Sequence, residues 1–274
     1  YRRQRQMCIR DSLYGQSGVG KSSLLDAGLL PRLERGYEVL YRRRGNTGLA
    51  DTFRQALNTD DTASLPKAWR DREAQSAKPL IVILDQIEEA FTRLDAGGQK
   101  EVHDLLDAIR GIFAGTEPRP KGRVLLGFRK EWLAEITKAI EARDLRSTPV
   151  YLEPLDREGI IEVVRGPTTG DAAGAYKLTI DDDLPETIAD GLREAADNKS
   201  PNVAPLQILL HKMWEEAKKK NLAEPRFTFE LYDRLKGGAL HLKDFLDQQI
   251  SGFREKMPDE ERSGLLLDIL ERHT

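Results

Sequence analysis

A single cysteine, Cys8, among 274 residues has nothing to pair with inside the chain and leaves too few thiols for a cysteine-based zinc site. A disulfide scaffold is excluded, and the usage fits a reducing cytosol. The longest apolar runs are about five residues, far short of the ~20 that span a bilayer, and no secretory leader is legible. The four histidines, His103, His211, His241 and His273, are scattered without metal-ligand spacing and read as surface or packing residues. Strong charge of one sign is also missing. The net charge is −3, so no global pull toward nucleic acid or a membrane surface is expected. The basic run Arg42, Arg43, Arg44 reads as a solvated loop rather than a polyanion patch. No repeat recurs at a fixed period.

What is present suits a folded protein of one large or two modest domains. Hydrophobic residues make up 39 %, enough for a core, and charged residues 32 %, enough to solvate the surface. The opening "YRRQRQMCIRDS" (1–12) has no clear period and resembles translated sequencing-adapter sequence. On that reading it is a non-native lead-in, native sequence begins near Ser12 or Leu13, and the first strand is truncated. The ending "ILERHT" follows a helical pattern without a closing element, so the chain reads as a fragment of something longer.

Strands and helices then alternate. "SLYG" leads into a glycine-rich loop. Leu24, Leu25, Leu29 and Leu30 follow at near-helical spacing, and Pro31 is expected to end that helix by Leu30. Strands are predicted at 37–41, 79–85, 123–128 and 148–155, and helices at 49–57, 67–75, 102–113 and 131–142. The run "PLIVILD" is apolar without interruption, as in a strand buried on both faces of a parallel sheet. Residues 13–155 therefore read as an α/β domain with a parallel sheet flanked by helices. After Pro154 the pattern turns mostly helical, with "TTGDAAGAY" loop-like and at most a short strand at 176–180. The expected divisions are a helical domain at 156–235 and the start of a winged-helix-like region at 236–274.

"GQSGVGKSS" (15–23) carries the chemistry. Gly15, four residues, then Gly20-Lys21-Ser22 is the spacing of a P-loop. Glycines let the backbone N–H groups of Gln16, Ser17, Gly18, Val19, Gly20 and Ser23 converge on a phosphate. The helix N-terminus that follows favours an anion. Lys21 reaches the β- and γ-phosphates, and the Ser22 hydroxyl can ligate Mg²⁺. The plain alternative is a glycine-rich turn before a helix. "LIVILDQIEE" places Asp85 at the carboxyl end of a buried strand, where it can hold Mg²⁺ opposite Ser22 as a Walker B residue. A glutamate next to that aspartate often orients the attacking water. Here Gln86, which can orient a water but is a poor base, holds that place, and the acids are Glu88 and Glu89, each readable either as a water-orienting group or as a solvated helix-start charge. Slow turnover follows. Arg129, after "RVLLGF", is either a γ-phosphate sensor or a surface residue. No NKxD-type motif is found, since "NKSP" (198–201) lacks the aspartate, which argues for ATP over GTP.

Taken together, "GQSGVGKSSLLDAGLLPRL", "LIVILDQIEEAFT" and "LLGFRKEWL" resemble the STAND class of P-loop NTPases, in the branch called novel STAND type 1. Ile87 stands where that branch has an aromatic residue. "YLEPLDREGIIEVVRGP", "APLQILLHKMW" and "FTFELYDRLKGGALHLKDFLDQQI" extend the resemblance over about residues 13 to 270. It implies an ATP (or ADP) and Mg²⁺-dependent switch in signalling, cell death or antiviral defence that oligomerises on activation. Its sensor lies C-terminal and its effector N-terminal to the NTPase core. It also implies a base contact from a GxP proline, matched by Pro205, although Val203 replaces the glycine. The fold expected is a P-loop NTPase sheet followed by a helical lid and winged-helix-like region, cytoplasmic, with no membrane partner. The rivals are a turnover AAA+-like ATPase or kinase, and a DNA-binding or scaffolding module. Near-neutral charge argues against direct nucleic-acid binding.

Overall fold

The unbroken apolar run around residue 80 forms β3 (Leu80–Asp85), every residue of which is buried. Its alternate side chains serve two cores, because successive residues of a strand face opposite ways. Leu80, Val82 and Leu84 pack with Phe53, Trp69, Leu105 and Phe128 on one side of the sheet. Ile81 and Ile83 pack with Leu13 and Leu25 on the other. This is a computed structural model that describes residues 8–92, 97–113, 120–196 and 203–240. The chain divides between Glu153 and Pro154 into two compact units.

In the first unit, β1 (Cys8–Gly15), β2 (Glu38–Arg43), β3, β4 (Arg123–Arg129) and β5 (Arg146–Leu152) pair in parallel in the order β2-β3-β4-β1-β5. The larger core is closed by α3 (Leu49–Ala56), α4 (Leu65–Ser76), α6 (Gly98–Phe113) and α7 (Leu133–Glu141). A short α5 (Glu89–Thr92) follows β3. The opposite face is covered by α1 (Lys21–Ser23), a π-helical turn (Leu24–Leu29) and α2 (Leu30–Leu33).

Two expectations are corrected here, and the first strand is longer than its patterned residues. It starts at Cys8, with Asp11 and Ser12 opposite Leu125 and Leu126 of β4 and Thr148 and Pro149 of β5. A strand paired on both sides is held by its backbone, which tolerates an unpatterned sequence. Pro31 does not end the helix. The π-turn hands the Leu30 N–H to Leu25 O, so Pro31 sits in the first turn of α2, where its missing N–H has no acceptor to serve. Arg42–Arg44 is not a solvated loop. Arg42 and Arg43 lie in β2, and the Arg44 side chain is 5 % exposed. Arg44 clamps Glu101 of α6 through two hydrogen bonds of 2.7 and 2.8 Å, and Glu101 accepts the Leu49 N–H that opens α3.

The second unit contains α8 (Arg157–Arg165), α9 (Gly170–Tyr176), β6 (Thr179–Ile180), α10 (Leu184–Ala195), α11 (Val203–Lys220), β7 (Arg226–Phe227) and α12 (Phe229–Leu240). Ile160, Val164, Ile188, Leu209, Met213 and Tyr232 form its core. The segment read as a loop contains α9, held by the Tyr176 ring edge-on to Trp214 at 5.4 Å. β7, which pairs with β6, is a strand that residue pattern did not suggest. The expected boundary after 235 falls inside α12. Residues 241–274, with the helices expected there, His241 and His273, lie outside the described residues, as do residues 1–7. No helix among the described residues is long and apolar enough to cross a membrane.

Candidate functional site

The loop between β1 and α1 is built around two residues with positive φ, Gly18 (+73°) and Gly20 (+96°), a region that side chains disfavour. Gln16, Ser17 and Gly18 are exposed at its tip, whereas Val19 is buried beneath it. The first helical hydrogen bond runs from Leu24 N–H to Gly20 O at 2.8 Å. The N–H groups of Lys21, Ser22 and Ser23 thus have no helical acceptor, and the positive end of the helix dipole faces the loop. Lys21 is 8 % exposed, and its ammonium donates to the Gly15 and Gln16 carbonyls at 3.0 and 2.9 Å. Burial lowers its pKa, opposed by the charges of Glu88 and Asp85. A desolvated ammonium, folded back on its own loop, is poised for an anion that replaces those carbonyls.

Asp85 ends β3 fully buried. Its Oδ2 accepts from Ser22 Oγ at 2.6 Å and from the Tyr41 hydroxyl at 2.8 Å, with Arg43 Nε at 3.9 Å. Its Oδ1 accepts the Gln86 N–H at 3.0 Å. The donor set fits Mg²⁺: a hydroxyl and a carboxylate, both hard oxygens, already in contact. Neighbouring ligands on an octahedral Mg²⁺ stand about 2.9 Å apart, so a small opening admits the ion between them. Gly127 of β4 backs the carboxylate, and a Cβ there would lie 2.6 Å from Asp85 Oδ1. Gly127→Ala should displace Asp85, cost about 1–3 kcal/mol of stability, and raise the Mg²⁺ needed for nucleotide binding about tenfold. An unchanged Mg²⁺ titration would show that Asp85 does not depend on this close approach.

Gln86 has φ +59°, and the Ile87 N–H bonds to Gly127 O at 3.1 Å. That left-handed step turns Glu88 inward and Glu89 outward, so Glu88 is 4 % exposed and Glu89 lies on the surface. Glu88 Oε1 stands 3.4 Å from Arg129 Nε at the end of β4, while Oε2 is buried with no hydrogen-bond partner among the described residues. Burial raises the Glu88 pKa, opposed by Lys21 and Arg129 among others. An orphaned buried carboxylate oxygen is a costly feature, and it makes the group a stronger base than a solvated one. Phe91 and Trp132 stack at 4.4 Å and 9° just beyond Glu88 and Arg129, joining the two strand exits.

The structure thus gathers Gly15 to Ser22, Asp85, Glu88 and Arg129 at the carboxyl end of one parallel sheet, where ligands of such sheets bind. Ser23 and Glu89 face solvent. Pro205 lies in the first turn of α11, in the second unit. Tyr41 and Arg43 were missed. The available signal was their two-residue spacing at the end of the strand preceding β3, which sets both on one face.

Comparison with known proteins bears on the family and the fold. The family model for Novel STAND NTPase 1 matches residues 3–266. No curated protein matches the chain. Among solved structures, the Aeropyrum pernix ORC2 protein in ADPNP–ADP complexes is similar with a TM-score of 0.60 at 14 % identity, covering 85 % of this chain and 62 % of that one. The Aeropyrum pernix ORC1 protein in complex with DNA is similar with a TM-score of 0.60 at 14 % identity, covering 94 % and 65 % respectively. Cdc6p from Pyrobaculum aerophilum follows at a TM-score of 0.50 and 13 % identity, covering 80 % and 57 %. The chain spans under two thirds of the length of these structures, and at such identities the likeness is one of fold.

Proposed function

We infer from the chain's membership of the Novel STAND NTPase 1 family, which makes it a nucleotide-binding NTPase module, that it is an ATP- and Mg²⁺-dependent switch with slow hydrolysis. The observation that carries this reading is the 2.6 Å contact of Ser22 with Asp85 beneath a loop whose buried lysine donates to that loop's own carbonyls. Lys21 and the loop N–H groups hold the phosphates, and Ser22 and Asp85 hold Mg²⁺, whose charge neutralises the phosphate oxygens when it is bound. Glu88 orients or deprotonates the water, and Arg129 holds Glu88 and senses the terminal phosphate. Gln86, in the place next to Asp85, is no base, and Arg129 beside Glu88 stabilises its charge. Both features favour slow turnover.

The second reading, a turnover ATPase of the AAA+ kind, is favoured by one observation: the buried, proton-hungry Glu88. Steady-state hydrolysis with light scattering separates the two. The switch reading expects turnover well below the ~1–100 s⁻¹ of kinases, with a larger particle in ATP than in ADP. Fast turnover without a change of size would sink it. A sensor beyond the C-terminal end, an effector before the N-terminal end and a role in antiviral or death signalling in the cytoplasm belong to the same proposal. The DNA contact of the ORC1 structure is not carried over, because a net charge of −3 offers no general attraction for phosphate backbone.

A further inference from the structure

Tyr41 and Arg43 stand two residues apart on β2, hence on one face, and the β2–β3 register sets Arg43 beside Asp85. The Tyr41 hydroxyl donates to Asp85 Oδ2 at 2.8 Å and accepts from Arg43 Nε at 3.2 Å. The phenol therefore occupies the position a simple ion pair would close. Arg43 Nε is kept 3.9 Å from Asp85, and the guanidinium carbon lies 6.0 Å from the Tyr41 ring centroid. A counter-ion meant only to neutralise Asp85 would pair with it through two parallel hydrogen bonds, as Arg44 does with Glu101. Arg43 instead uses one of its five N–H groups on Tyr41, and the other four meet no acceptor among the described residues. Its side chain is 53 % exposed while Asp85 is fully buried, so the cation stands at the solvent side of the carboxylate. A planar fork with open donors, fixed at one edge beside a hydroxyl and carboxylate suited to Mg²⁺, matches a phosphate.

We propose that Arg43 is a ligand of the terminal phosphate of bound ATP, and that Tyr41 is a positioning residue that orients Asp85 and holds Arg43 off it. The inference rests on the placement of a triphosphate on the P-loop and adds a cation from the neighbouring strand to it. It gives the module a means of telling ATP from ADP before any chemistry occurs: Arg43 is engaged by one nucleotide and left open by the other. Tyr41 couples that choice to the carboxylate that holds the metal, since one hydroxyl group serves both.

Calorimetric titration of the whole chain with ATP and with ADP, at fixed Mg²⁺, tests this without any readout of hydrolysis. Arg43→Gln is expected to weaken ATP about tenfold, the loss of one charge-assisted contact, and ADP less than about twofold. Arg43→Lys, which keeps the charge but not the fork, should fall between. Tyr41→Phe keeps the ring and should raise the Mg²⁺ concentration for half-maximal ATP binding about three- to tenfold. Equal losses for ATP and ADP, or none, overturn the assignment of Arg43. An unaltered Mg²⁺ requirement in Tyr41→Phe overturns that of Tyr41. A parent chain that binds neither nucleotide removes the P-loop reading and this one with it, an outcome distinct from equal losses in a parent that binds both.

Discussion

Lys21→Ala is expected to weaken ATP binding at least about 100-fold while leaving the unliganded chain as stable as the parent. The ammonium is nearly enclosed, and burial has already lowered its pKa, so its hydration has been given up before the ligand arrives. In the unliganded chain it gains two carbonyl contacts in return among the described residues. Two hydrogen bonds to a phosphate, at about 1.5–3 kcal/mol each for charged partners, exceed 2.7 kcal/mol, the equivalent of 100-fold. Removing the group from the unliganded protein removes a desolvated charge along with its contacts, so the two effects nearly cancel. Calorimetry with ATP beside thermal unfolding without it checks both halves. Retained ATP affinity in the variant would falsify the P-loop assignment itself.

The second large effect belongs to Glu88→Gln, for which hydrolysis should fall about 100-fold or more while ATP affinity stays within about threefold. Glu89→Gln should behave as the parent, because Glu89 lies on the surface. Glu88→Gln should also stabilise the unliganded chain at neutral pH. A carboxyl whose folded pKa is raised contributes stability that is fully present below its ordinary value of 4.5 and lost as pH rises through the folded value. Above that window the ionised, half-satisfied Glu88 costs stability that a neutral glutamine does not. The melting temperature of Glu88→Gln should therefore exceed that of the parent at pH 7, with the gap closing as pH falls toward 4.5. Equal hydrolysis in the Glu88 and Glu89 variants, or no pH-dependent gap, would move the water-orienting role elsewhere.

Much of the first unit was legible because its signals are local and chemical. The apolar runs of β3 and β4 announce strands buried on both faces, and the loop from Gly15 to Ser22 has a spacing that few other tasks require. What escaped depends on geometry that residue types do not encode. Glu88 and Glu89 are equivalent on paper, and only the positive φ of Gln86 decides which turns inward. Tyr41 read only as the last residue of a strand and Arg43 as part of a solvated basic run, because β2 ends two residues beyond the predicted strand and its register against β3 was unknown. The π-turn before Pro31 rescued a helix that proline rules would have stopped. In the second unit, β6 and β7 are two residues long, too short for any periodic signal, and α9 is rich in alanine and glycine without an apolar face to mark it.

The stacked rings of Phe91 and Trp132 have a mechanical meaning. Such a pair is worth about 0.5–1.5 kcal/mol beyond its buried area, enough to make its two backbones travel together. Phe91 follows Glu88 after β3, and Trp132 lies in the short turn that leads from Arg129 of β4 into α7, while Glu88 and Arg129 are themselves joined by an ion pair. A displacement of either strand exit is thus shared with the other and with the start of α7, so this corner of the sheet responds as one body rather than as two separate loops.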